Sequence, residues 1–473
     1  MRAAHYHTPL RIFLALLCLA LAGCTAGLNY QRPKINLPAT YRGQAPSLRG
    51  QAPQESLGNE KWWSVFHDPT LQQLIRTALQ QNYDVRIAAT RVLQAQAQLG
   101  LTRSNQYPTV NAGLNLLEER NPKINSFFPT YKIHTGELDL SVIWNLDFWG
   151  KYRRETEAAR DNLLATEWGR RAVLNSVVSS VATAYFQLRE LDLALQIARC
   201  TLVSRNDSLR LTQVLEHYGS ASMLDLRQAQ ELVDTAAEQI PDLQRQIQQK
   251  EDLISDLLGE NPGPVARGLK LTEQPVPPTV PAGLPSELLE RRPDIREAEA
   301  NLMAANADIG VAKADFFPNI SLTATGGLES YALDRFFSFA NGGLYNVAAS
   351  AAQTVFQAGA LHSGLRLTQA QKQQMLLAYE QAIKEALREV SDSLIAYQKD
   401  REFRQQQQLL TNAAAGADRL SNVLYRHGGA SYLQVLASET NYFVAELNLA
   451  QAQLNERLAL VQLYNALGGG WQQ

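Results

Sequence analysis

The stretch ELDLSVIWNLDFWGKYRRE, residues 137–155, decides how the rest of the chain is read. Leu138, Leu140, Val142, Trp144, Leu146 and Phe148 fall on one face; Glu137, Asp139, Ser141, Asn145 and Asp147 fall on the other, with Ile143 the one exception. A period of two describes a strand with one apolar and one polar face. The period then changes. From Lys151 to about Glu216 only Gly169 interrupts a helical pattern, and Val177, Val181, Ala184, Leu188, Leu191, Leu195, Ala198 and Leu202 repeat with a 4-3 rhythm. That heptad argues for coiled-coil packing, and such a helix would span roughly 100 Å at about 1.5 Å per residue.

Working outward, Tyr107-Pro108 ends an earlier helix, and Val110, Ala112, Leu114 and Leu116 alternate with Asn111, Gly113 and Asn115. That earlier helix is expected to start at the Asp68-Pro69 cap and to continue past Asn82 to about Asn105. Downstream, Gly219 marks a tight reversal, and a second helix returns to Leu258 before Gly259 caps it. The whole unit then recurs about 209 residues later. Asp84, Pro108, Phe127-Phe128, Gly150, Gly219 and Gly259 reappear as Asp294, Pro318, Phe336-Phe337, Gly359, Gly428 and Gly468. Ile320, Leu322 and Ala324 form the third alternating run. Tyr345, Val347, Ala349 and Ala351 form the fourth, until Gln353 interrupts it. A helix from about Gln357 to Arg426 turns at Gly428-Gly429 and returns to Leu467, so the chain is a tandem duplication.

Residues 1–23 read as a signal peptide. Arg2 and Arg11 are its basic region, Ile12 to Ala20 its apolar core, and the run is too short to span a bilayer. Leu21-Ala22-Gly23-Cys24 resembles the bacterial lipobox, which implies acylation of Cys24; Thr25 after it fits sorting to the outer membrane. Residues 24–60 are an extended lipid-anchored arm, 61–260 the first repeat, 261–285 a crossover with seven prolines, 286–468 the second repeat and 469–473 a tail. Cys200 is left as a lone thiol, expected to be buried in its apolar-periodic helix. The net charge is −2, so no basic excess supports nucleic-acid binding. No phosphate loop, His-Glu-x-x-His, Cys-x-x-Cys or nucleophile elbow is present, and the reading is of a protein that is not an enzyme and uses no cofactor or metal.

Four strands with open edges cannot stand alone in a membrane, where unpaired backbone groups find no water. They must pack as a soluble sandwich or be shared among chains in one barrel. The segments 119–132 and 329–343 would be the loops at one end, each with its Phe-Phe pair near the membrane interface. A coiled-coil envelope lipoprotein would account for the helices but leave the alternating strands unused. A protein-secretion duct would share the architecture.

Three segments carry a specific resemblance: WWSVFHDPTL from Trp62 to Leu71, LERRPDIREAE from Leu289 to Glu299, and the run from Ala304 to Pro318. They resemble the TolC-like outer-membrane efflux family, in its lipidated NodT-type branch. The resemblance implies a mixed α+β membrane protein: a homotrimer with a twelve-stranded β-barrel and a periplasmic α-barrel of coiled-coil helices. It implies passive export, with a periplasmic adaptor and an inner-membrane pump of the resistance-nodulation-division type as partners. It places adaptor contact at the helix reversals, Gly219 and Ser222 in the first and Gly428, Gly429 and Ser431 in the second. Asp225 and Tyr425 match the family's gate latch, whereas its latch arginine falls on Ala430 and its aspartate ring on Gln434 and Ala437. Arg426 is the candidate replacement for that arginine, and Gln434 marks where the two copies diverge.

Overall fold

The computed structural model describes residues 25–43, 56–121, 131–275, 280–330 and 342–471. Cys24 and both Phe-Phe pairs lie outside the described residues. The chain forms two compact units, each drawing on both repeats. One takes the segments up to residue 34, 92–166 and 298–379; the other takes 35–91, 167–297 and 380–473.

The first unit carries the sheet, β1 Thr109–Asn121, β2 Tyr131–Leu146, β3 Asn319–Ser330 and β4 Gly343–Ala352, antiparallel in the order 1-2-3-4. Register decides which residues share a face, because a slip of one residue would invert every side chain. Val110 lies opposite Val142, Val142 opposite Ala324, and Ala324 opposite Val347. The four alternating runs read from the sequence therefore form one apolar face. Much of it is exposed in the single chain: Leu140 is 58 % exposed and Val347 77 %, although Leu328 on the same face is buried. The sheet leads into the helices at Gly150, whose φ of +76° and contact with Thr25 leave no room for a Cβ. Ala26 N–H donates to the Trp149 carbonyl at 2.9 Å, so the arm begins beside the end of β2.

The helices are α1 Trp62–Val65, α2 Pro69–Gln81, α3 Tyr83–Ser104, α4 Lys151–His217, α5 Met223–Leu258, α6 Leu288–Arg291, α7 Pro293–Ala314, α8 Ala360–Arg426 and α9 Tyr432–Ala466. The duplication is nearly exact in length: α4 and α8 each have 67 residues, α5 and α9 have 36 and 35. No helix among the described residues is long and apolar enough to cross a membrane.

Two expectations need correction. The helix from Pro69 does not run through Asn82, which leaves the helix at φ −55°, ψ 133°. Its side-chain oxygen accepts from Asp84 N–H at 2.9 Å and Val85 N–H at 3.2 Å, while its amide donates to the Leu257 carbonyl at 2.9 Å. That capping starts a new helix and sets a kink. Cys200 is exposed. It lies two residues past Ala198, roughly 200° around the helix at about 100° per residue, on the face away from the heptad seam. The return helix α5 does run to Leu258 as expected, with Pro241 inside it.

In the second unit the motif residues act as structural clamps. Asp68 is fully buried, capping α2 through Thr70 N–H at 2.9 Å and accepting from the Tyr185 hydroxyl at 2.6 Å, Leu269 N–H at 2.9 Å and the Gln274 amide at 2.7 Å. Arg292 holds Asp294 through two hydrogen bonds, pairs with Glu389 at 2.8 Å, and donates to the Ala466 carbonyl at 3.0 Å near the end of α9.

Candidate functional site

All four long helices end in the same device. At the first reversal Gly219 N–H reaches the Glu216 carbonyl at 2.8 Å and Ser220 N–H reaches Leu215 at 2.8 Å. At the second, Gly428 N–H reaches Tyr425 at 3.0 Å and Gly429 N–H reaches Leu424 at 2.8 Å. Both glycines sit at φ +74°, the left-handed conformation such a terminus requires. Gly259 and Gly468 repeat the pattern at the return ends.

The start of each return helix is also built twice. The Asp225 carboxylate accepts from Ser222 N–H and from its hydroxyl, both at 2.8 Å, while Ser222 Oγ accepts from Asp225 N–H at 3.1 Å. This is a capping box. At the second tip Ser431 N–H donates to Gln434 Oε1 at 3.3 Å. Asp225 and Gln434 therefore occupy the same third position and close onto the same backbone group. The two tips differ at this position in charge.

Behind the tips the structure brings four helices together. Leu209 of α4, Ala229 and Val233 of α5, and Tyr432 and Val435 of α9 form a buried cluster, with Leu202, Leu226 and Tyr425 packed against it. The Tyr425 and Tyr432 rings lie 5.5 Å apart. Burial raises the Tyr425 phenol, and the nearby Asp225 charge raises it further. Asp225 and Tyr425 are thus neighbours, but the Asp225 carboxylate is engaged by Ser222 and no hydrogen bond joins it to Tyr425 among the described residues. Arg426 is exposed and forms no ion pair among the described residues. Ser222, Ser431, Gly219, Gly428 and Gly429 all line the exposed turns.

One layer further in are residues that sequence reasoning passed over. Arg205 is 2 % exposed, Tyr432 4 % and Glu439 7 %. Arg205 Nη1 donates to the Leu232 carbonyl at 2.7 Å, and its guanidinium lies 5.0 Å from the Phe443 ring centre. Glu439 accepts from Ser208 Oγ at 3.0 Å and from the Asn422 amide at 3.5 Å. Arg205 Nε, Glu439 Oε2 and the Tyr432 hydroxyl have no hydrogen-bond partner among the described residues. Burial lowers the Arg205 guanidinium against the pull of Glu439, and burial raises the Glu439 carboxyl. A signal was available: Arg205 occupies the next heptad position after Ala198 and Leu202, where an apolar residue belongs.

On the polar face of the sheet, Asn111, Ser141, Thr325 and Asn346 lie in one row, and Glu137 lies directly opposite Glu329. Asp139 sits between Gly113 and Gly327, where a Cβ on either glycine would collide with it or its backbone.

Comparison with known proteins agrees with this architecture. The chain matches the outer membrane efflux protein family twice, over residues 74–260 and 284–469. It is 35 % identical over 468 residues to the cation efflux system protein CusC of Escherichia coli O6:H1, covering 98 % of this chain and 100 % of CusC. It is 35 % identical over 465 residues to the toluene efflux pump outer membrane protein TtgC of Pseudomonas putida, covering 97 % of this chain and 95 % of TtgC. The open state of the Neisseria gonorrhoeae MtrE outer membrane channel superposes with a TM-score of 0.87 at 29 % identity, over 95 % of this chain and 99 % of that one. The chain belongs to the outer membrane efflux protein family and is an outer-membrane efflux channel with a periplasmic tunnel.

Proposed function

We propose that three copies of this chain close a twelve-stranded barrel and continue it as a tube of α4, α5, α8 and α9, lipid-anchored at Cys24. One observation supports this above the rest: a four-stranded sheet whose register gathers every apolar run on one largely exposed face and leaves β1 and β4 with free edges. In a bilayer such edges must be paired, and copies of the same sheet can pair them. The polar face then lines a wet lumen.

Under this reading the domain plan is a lipid-anchored arm over 24–60, one wall panel per repeat over 61–260 and 286–468, and the proline-rich crossover between them. The tips around Gly219, Ser222, Gly428, Gly429 and Ser431 receive a periplasmic adaptor, and an inner-membrane pump of the resistance-nodulation-division type supplies energy. The duct performs no reaction and needs no cofactor. The two relatives' names specify cations in one case and toluene in the other, yet the alignments cover 98 % and 97 % of this chain. Cargo choice therefore belongs to the pump. Asp225, Tyr425, Arg426 and Gln434 are the gate candidates of this reading.

The test is electrical. Purified full-length protein in a planar bilayer is expected to give discrete, long-lived conductance steps, and a preparation that inserts without conducting refutes the duct. Asp225→Ala and Tyr425→Phe are expected to raise single-channel conductance if these side chains hold the tips closed; unchanged conductance in both removes them from the gate. Cys24→Ala is expected to abolish incorporation of radiolabelled palmitate.

A further inference from the structure

We propose that Arg205, Glu439 and Tyr432 form a proton-operated clasp between the two helical hairpins, which acid tightens. The inference rests on the duct reading only for its consequence on flow. Its basis is geometric: three side chains, each more than nine-tenths buried, present three polar atoms without a partner among the described residues, and they come from both hairpins. Arg205 is on α4 and is tied to α5 through the Leu232 carbonyl; Tyr432 and Glu439 are on α9, and Glu439 is tied to Ser208 of α4 and Asn422 of α8. All four helices meet there.

Such a node is costly in its present form, since buried polar groups without partners lose their hydration and gain nothing in exchange. Packed apolar side chains would hold these helices together without that cost. A charged, half-satisfied node is useful where the packing must be reversible.

The groups around Glu439 set the direction. Burial opposes its charged form most strongly; the hydrogen bond from Ser208 of α4 favours that form, Asp418 of α8 opposes it, and Asn422 of α8 and Arg205 of α4 favour it, while Asp225 of α5 acts on Tyr432. Burial outweighs the rest, so the carboxyl is raised above its ordinary 4.5. The packed arrangement therefore binds a proton more tightly than an arrangement in which Glu439 meets water. By linkage, lowering the pH favours the packed state, and raising it favours separation of the hairpins. Protonated Glu439 also gains a donor that can satisfy a neighbouring oxygen.

Spin labels on Ser220→Cys and His427→Cys, in a Cys200→Ser background of the full-length protein, report the within-protomer tip distance. The short-distance population is expected to grow as the pH falls from about 8 to about 5, by up to about tenfold per pH unit for one linked proton. Glu439→Gln, which mimics the protonated form at the same size, is expected to hold the short distance at every pH. Arg205→Met removes the pull on the carboxylate and is expected to move the transition to higher pH. A pH response that survives in Glu439→Gln, or a tip distance that lengthens on acidification, overturns the clasp. The distance is read without transport, so a clasp that works in a chain that does not conduct counts against the duct alone.

Discussion

Asp68 shows what the aromatic motif before α2 accomplishes. From sequence it reads as a helix cap, and it is one. Its remaining partners come from Tyr185, Leu269 and Gln274, 117 or more positions away, and no local pattern announces them. Asp68→Ala strands those donors in a buried site, and removing one partner from a buried charged network typically costs about 3–5 kcal/mol. The expected readout is a large fall in apparent melting temperature, with the folded protein lost before conductance can be measured. Asp225→Ala, by contrast, removes an exposed cap worth about 0.5–2 kcal/mol, so the fold should survive and only the first turn of α5 should fray, seen as faster hydrogen exchange there. The same residue type thus has two roles. Burial separates them, and burial is not written in the tripeptide around either aspartate.

At the scale of elements, the sheet was the most legible part and the kink at Asn82 the least. Alternation fixed the face of each strand before the pairing was known, because a period of two leaves no freedom once one face is apolar. Asn82 resisted because asparagine is tolerated inside a helix, and what breaks the helix here is the Leu257 carbonyl, a partner 175 residues away. Arg205 and Glu439 were legible in principle, since both interrupt an apolar rhythm, but a charge in a heptad reads as a solvated face until the neighbouring helix is known. The sheet supports a paired prediction. Leu140→Arg places a cation on the apolar face, at a cost of about 2–4 kcal/mol per chain near the bilayer centre. It is expected to reduce the amount of assembled channel in the outer membrane several-fold. Ser141→Arg, one residue along, is expected to leave assembly intact and to change conductance instead. Equal loss of assembled channel in both variants would show that the two faces are not lipid and lumen.

At the scale of the whole molecule, duplication repeats the local charges, and the proposed three-chain assembly would multiply them. Glu137 opposite Glu329 is an unfavourable cross-strand pair in isolation, since like charges on facing residues destabilise a sheet. Water on that face lowers the penalty, and a lumen supplies both water and counter-ions. Asp139 completes the patch, held between two glycines that leave space for nothing else. Three chains around one pore would set this patch three times at the same height, where low-dielectric walls focus its field. The duct should therefore favour cations in the barrel even though the chain's net charge is only −2. Reversal potentials under a potassium chloride gradient measure this directly. Wild type is expected to be cation-selective at low salt. Selectivity should weaken toward 1 M, where the Debye length falls to about 3 Å and the three patches no longer act together. The combined variant Glu137→Gln, Asp139→Asn, Glu329→Gln should be nearly unselective at every salt concentration while keeping its conductance steps. If that variant retains the wild-type reversal potential, the polar face of the sheet does not line the pore, and the arrangement of the four strands around the duct must be redrawn.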